Sequence, residues 1–204
     1  MTGQCTFYNR GTSLFHSEFG VEGITNLSAL NTSIAKASQW PVSRDNPVLF
    51  HRGLWWIKES RLEEAFGEIR GIETVVAASQ LLQAEGLRYA IESNRRRKYQ
   101  NSGSIPWQFN EPYPNGHCTS AVDYYAEPKA TYYAIARAYE PVRVMAQFPA
   151  QAWGGHLVCL STYPRLDDQL RSLNHLGIVE PPAFSTDRPM ACGSRSPWAT
   201  AGSS

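Results

Sequence analysis

The sequence predicts an α/β chain whose short strands end in carboxylates at turns, and three observations carry that prediction. Leu14-Phe15-His16-Ser17-Glu18-Phe19-Gly20 is a short apolar run that closes on an acid and a glycine. Gly103-Ser104-Ile105-Pro106-Trp107-Gln108-Phe109-Asn110-Glu111-Pro112 repeats the arrangement and closes on Glu111. Between them Ile72, Val75, Val76, Ser79, Leu82, Gly86, Tyr89 and Ala90 recur at spacings of three and four, the period of an amphipathic helix. A strand with an acidic side chain at its C-terminal tip is how a parallel barrel presents a catalytic carboxylate, because the loops gather at that rim.

Taken in order, residues 12–20 read as a short buried strand running into a glycine turn. Residues 21–57 are rich in Ser, Asn and Thr, with Trp40-Pro41 and Asn46-Pro47 as breakers, and are expected to form an irregular rim loop. Val48-Leu49-Phe50 has the composition of an extra strand. The loop ends in His51-Arg52-Gly53-Leu54-Trp55-Trp56, dense in aromatic and basic groups.

Lys58 to Phe66 is a short helix ended with the help of Gly67, and Ile72 to about Lys98 is a long one. Its small residues Ser79 and Gly86 would let it sit close to a sheet. Arg95-Arg96-Arg97-Lys98 falls in the last turn, where cations complement the helix dipole, and is expected to be a solvated helix end. Gly103–Glu111 is the second strand, and Pro106 marks a bulge or the strand start. After a loop at 112–127, Pro128 opens a helix to about Ala138, and Val142–Phe148 begins a β region. From about Gly154 the periodicity is poor, leaving a disordered tail, an out-of-frame segment or a truncated domain as open alternatives.

Bulk properties narrow the function. The 204 residues can bury one substantial core, or one domain and part of another. A net charge of +1 gives no electrostatic footprint for nucleic acid or an anionic membrane. No apolar run reaches the roughly 18 residues that a membrane span needs. The start, Met1-Thr2-Gly3-Gln4-Cys5, lacks the basic and apolar regions of a signal peptide, so a cytoplasmic location is expected. Cys5, Cys118, Cys159 and Cys192 are widely spaced and read as free thiols, with neither a zinc site nor a disulfide framework. The sequons at Asn26 and Asn31 read as chance matches in a polar loop.

Two strand-end carboxylates in a chain with 12% aromatic residues point to sugar chemistry. A retaining glycosidase needs a nucleophilic carboxylate and an acid/base carboxyl group roughly 5–5.5 Å apart, and Glu18 and Glu111 present themselves as that pair. Asn110-Glu111-Pro112 also matches the tripeptide that carries the acid/base in many sugar-cleaving barrels.

Phe15-His16-Ser17-Glu18-Phe19-Gly20 resembles the nucleophile segment of glycoside hydrolase family 2, most of all its β-mannosidase-like branch. Further matches follow in the same order: Gln83–Glu92, Asn94–Arg97, Trp107–Pro112, Asp123-Tyr124-Tyr125, Pro128-Lys129 and Tyr132-Tyr133-Ala134. The resemblance covers roughly residues 10–150. It implies the C-terminal part of a (β/α)₈ barrel over residues 1–140, the start of an immunoglobulin-like β-sandwich over 141–155, and an irregular tail over 156–204.

The same resemblance reassigns the apparent acid pair. It places Glu18 at the end of the seventh barrel strand as the nucleophile and Glu111 on the eighth. The family's acid/base precedes its nucleophile in the chain, so that residue lies in a missing upstream segment. Glu111 and Asn110 then bond sugar hydroxyls or brace the loop after the eighth strand. Trp107 is an apolar platform under the sugar or a core residue, and Trp55 and Trp56 line the cleft mouth. His16 is structural, and Tyr124 and Tyr125 are packing residues. No cofactor or metal is implied, and the partners are a β-linked sugar and the missing part of the same protein. The isolated chain is expected to be inactive. The alternative is a non-catalytic carbohydrate-binding or interaction module, which mannoside binding by this chain alone would favour.

Overall fold

The computed structural model describes residues 5–54, 59–147 and 158–161, so the expectations for Trp55, Trp56 and the chain after 161 lie outside it. The chain divides into Met1–Thr162 and Tyr163–Ser204, and all described residues belong to the first unit. That unit is mixed α/β. After a 3₁₀ turn at Cys5–Arg10 come β1 (His16–Phe19), β2 (Gly23–Ile24), α1 (Leu27–Ser33), α2 (Pro47–His51), α3 (Glu59–Phe66) and α4 (Ile72–Arg96). Then follow β3 (Ser104–Pro106), β4 (His117–Cys118), α5 (Ala130–Ala138), β5 (Val144–Gln147) and β6 (Val158–Ser161).

Strands β1 and β3 are parallel, with His16 opposite Ser104 and Phe19 opposite Pro106 and an irregularity between. Parallel pairing requires a crossover, and α4 supplies it. Pro106 closes β3 at the last position, and the N–H of Trp107 resumes the bonding by donating to the Phe19 carbonyl at 2.8 Å. Strands β2 and β4 form an antiparallel pair that ties the segment after β1 to the segment after β3. A third pair, β5 with β6, is antiparallel, so Val142–Phe148 does contain a strand.

Helix α4 joins two apolar clusters. Its first half packs with Ile24, Leu30, Leu49 and Leu62, and its second half brings Leu87, Ala90 and Ile91 against Phe19 and Ala138. The small residues on its buried stripe act as their spacing predicts. Ser79 Oγ accepts from the N–H of Ile24 at 3.0 Å. A Cβ on Gly86 would stand 2.9 Å from Val21 Cγ2, so only glycine allows that approach.

Three expectations are corrected. The described part of the expected irregular loop, residues 21–54, holds β2, α1 and α2. Val48-Leu49-Phe50 is helical because Asn46 caps α2, its Oδ1 accepting from the N–H of Leu49 at 3.2 Å, while Pro47 occupies the first turn. The basic run at the end of α4 is a set of clamps rather than a solvated end. Arg97 donates to the carbonyls of Gly11 and Ser13, Arg95 to those of Ala138 and Pro141, and Arg96 to Asn9 Oδ1 and Ser93 Oγ. Guanidinium forks thus fasten the start of β1 and the end of α5 to one helix terminus.

Candidate active site

Glu18 lies one residue before the end of β1 and is exposed, while Phe19 beside it is buried. The anchoring is on the α4 side. His16 stacks on Phe19 with ring centroids 4.4 Å apart, and its Nδ1 lies 3.0 Å from the amide nitrogen of Asn94. Burial lowers the His16 pKa, the Asn94 bond opposes that, and the Arg97 charge lowers it further, which keeps the imidazole neutral at neutral pH. These contacts hold the His16 ring against Phe19 and Asn94.

At the tip of β3, Trp107 is 46% exposed, and the Trp107–Gln108 peptide is cis. Gly20 makes the two tips fit. A Cβ there would stand 2.8 Å from the Trp107 carbonyl oxygen and 2.9 Å from Thr119 Cγ2. Gly20→Ala is therefore expected to cost about 1–3 kcal/mol through overpacking, read as a fall in the thermal midpoint.

Asn110 is exposed and bridges to Val122. Glu111 is only 3% exposed, and its Oε1 accepts from the Ser120 hydroxyl at 2.5 Å. Burial raises its pKa, against the lowering effects of the Ser120 bond and the Lys129 charge. Glu18 opens to solvent whereas Glu111 is enclosed, so they are not a solvent-facing acid pair. Of the two roles expected for Glu111, its burial favours bracing the loop.

Around Glu111 lies a polar layer that the motifs did not reveal. Lys129 is fully buried, and its Nζ donates to the carbonyls of Cys118 at 3.2 Å and Gly23 at 3.4 Å. Burial pushes its pKa down to about 8 against the attraction of Glu111, Cys118 and Asp123. His117 is buried, and burial followed by the Lys129 charge holds its pKa well below the ordinary value. Asp123 is buried too, accepting from Tyr125 N, Glu127 N and the Asn26 amide. That last bond engages the side chain of the first sequon. Cys118 is a free, buried thiol. Tyr124 and Tyr125 lie on the surface in edge contact with each other. Glu111, Asp123 and Lys129 stand within sequence motifs, but nothing in those motifs shows that the three are buried.

Among the described residues, no group of three His, Cys, Asp or Glu side chains is arranged to hold a metal, and no helix is long and apolar enough to cross a membrane.

No family model matches the chain. It is 29% identical over 146 residues to beta-mannosidase B of Aspergillus niger, covering 68% of this chain and 17% of that protein. The Aspergillus flavus protein of the same name is 28% identical over the same share. Among solved structures, a β-D-mannosidase of Dictyoglomus thermophilum superposes with a TM-score of 0.62 at 24% identity, over 70% of this chain and 18% of that one. An exo-chitosanase of Amycolatopsis orientalis, crystallised with a β-D-glucosamine derivative, gives 0.58 at 22% identity over 70% of this chain and 19% of that one. The chain thus spans under a fifth of the length of these relatives. Over most of its own length it has the fold of a part of glycoside hydrolases and is distantly similar in sequence to β-mannosidases.

Proposed function

We propose that this chain supplies the last two strands of the catalytic barrel of a retaining glycosidase of family 2 type. Its substrates would be terminal β-linked sugars, β-mannosides first, with Glu18 as nucleophile. The observation that carries the reading is the parallel pairing of β1 and β3, which brings a solvent-open Glu18 and a half-exposed Trp107 to adjacent strand tips. The exposed flanks of this two-stranded sheet suit a larger barrel. Leu14, Phe15, Ile105 and Phe109 are exposed apolar side chains on or flanking these two strands, as expected where further strands would cover them.

The chemistry follows from one carboxylate. Glu18 attacks the anomeric carbon, the bond to the leaving oxygen breaks, and that oxygen takes a proton from an acid elsewhere in the complete domain. Water, deprotonated by the same group, then displaces Glu18 and restores the starting configuration. Neither step calls on a metal or cofactor. Trp107 offers its ring to the apolar face of the sugar and Asn110 offers its amide to a hydroxyl. Glu111 braces the loop from behind.

The test is to trap the ester. A complete domain containing this sequence is incubated with a 2-deoxy-2-fluoro-β-mannosyl fluoride, whose fluorine slows both steps and whose good leaving group restores the first. Peptide mass spectrometry is expected to find the sugar on Glu18. A label on another carboxylate overturns the assignment, and hydrolysis without any trapped ester overturns the retaining mechanism.

A further inference from the structure

We propose that Lys129 is a positioning residue that locks the segment leaving the Glu18 strand to the segment leaving the Trp107 strand. Its Nζ bonds the carbonyls of Gly23 and Cys118, which are partners across the β2–β4 pair. Gly23 lies five residues beyond Glu18, and Cys118 adjoins Thr119, whose side chain packs on Gly20. One cation therefore spans both continuations of the rim. Its own backbone N–H donates to the Ala121 carbonyl at 2.9 Å, which fixes where the side chain starts.

An apolar side chain would fill this place without the desolvation that a buried ammonium suffers. What an apolar residue lacks is donors that reach both carbonyls at once. The charges of Glu111 and Asp123 attract the cation and offset part of the cost of burying it. The further bonds from Gln83 Nε2 to the Ser120 carbonyl at 3.0 Å and to the Cys118 carbonyl at 3.5 Å hold one side of the junction only. Gln83 also touches both sides, its Oε1 lying against Gly23, but of these two side chains it is Lys129 that bonds a carbonyl on each. The purpose assigned to the lock, fixing the direction of Glu18, rests on the glycosidase reading, whereas the coupling itself does not.

The experiment compares the 204-residue chain with Lys129→Met, which keeps length and volume and removes the donors. Amide hydrogen exchange of residues 20–24 and 116–120 is expected to quicken about tenfold or more, while α4 keeps its protection. In ¹³C-labelled protein, the carboxyl signals of Glu18 and Glu22 are expected to shift while those of Glu73 and Glu85 stay. Unchanged exchange, or a uniform loss across α4 as well, overturns the proposal, as does an unmoved Glu18 signal. If the variant does not fold, the unsubstituted chain decides. A slowly exchanging Lys129 ammonium correlation below pH 8 supports the lock, and a rapidly exchanging one overturns it. None of these measurements uses turnover, so failure here and failure of the glycosidase reading are separately visible.

Discussion

A complete catalytic domain carrying Glu18→Ala is expected to lose hydrolysis of an aryl β-mannoside by about 10⁴-fold or more, with little change in fold. Removing a covalent nucleophile abolishes an interaction made only as the transition state forms, so kcat and kcat/KM fall together. A factor of 10⁴ corresponds to about 5.5 kcal/mol of barrier. Stability is expected to hold because Glu18 is exposed and makes none of the contacts that anchor β1, which belong to His16 and Phe19. The truncation leaves a small space beside the anomeric carbon. Azide is expected to enter it and restore turnover, giving the α-mannosyl azide, because it attacks from the face that the carboxylate occupied. Full turnover of Glu18→Ala without azide would show that another residue is the nucleophile. A variant that loses activity and gains no azide product would show that Glu18 acts on structure instead.

What was legible in the sequence is what local patterning determines. Helix α4 was visible because its apolar period runs unbroken for many turns, and α3 because Gly67 ends it with a φ of 73°. The tips at Glu18 and Trp107 were visible as motifs. Helix α2 was missed because Asn46-Pro47 is ambiguous: the same dipeptide breaks one element and caps the next. Helix α1 was missed because Asn, Ser and Thr dominate it, and it owes its stability to burying Ala29 and Leu30 rather than to propensity. The arginine clamps were read as solvated because a charge run carries no record of which carbonyls lie nearby. Lys129 and Glu111 belong to the same class. Their burial depends on chain segments more than a hundred residues distant from Lys129, such as Gly23, and no local pattern encodes that.

Buried titrating groups give the second large effect, an unusual gain of stability with alkali. The Lys129 pKa is pushed from the ordinary 10.5 down to about 8 by burial. Below pH 8 the lysine is protonated in both folded and unfolded chains, so the desolvation cost is present in full. Between about 8 and 10.5 the unfolded chain binds more protons than the folded one, and stability therefore rises with pH. The gain is of order 3 kcal/mol over the whole window, and less in practice because the measurement must stop near pH 10. There Tyr139, whose pKa is raised by burial, begins to oppose it, since the unfolded chain ionises that phenol first. His117 acts at the other end. Its lowered pKa means that the unfolded chain takes up a proton first as pH falls through 6.5, so stability drops in acid. Glu111 works against this, because its raised pKa favours the folded chain at low pH. Urea midpoints from pH 7 to 10 are expected to climb for the unsubstituted chain and to stay level for Lys129→Met. Equal slopes for the two would assign the alkaline gain to some other group and would mean that Lys129 is not desolvated in the folded chain.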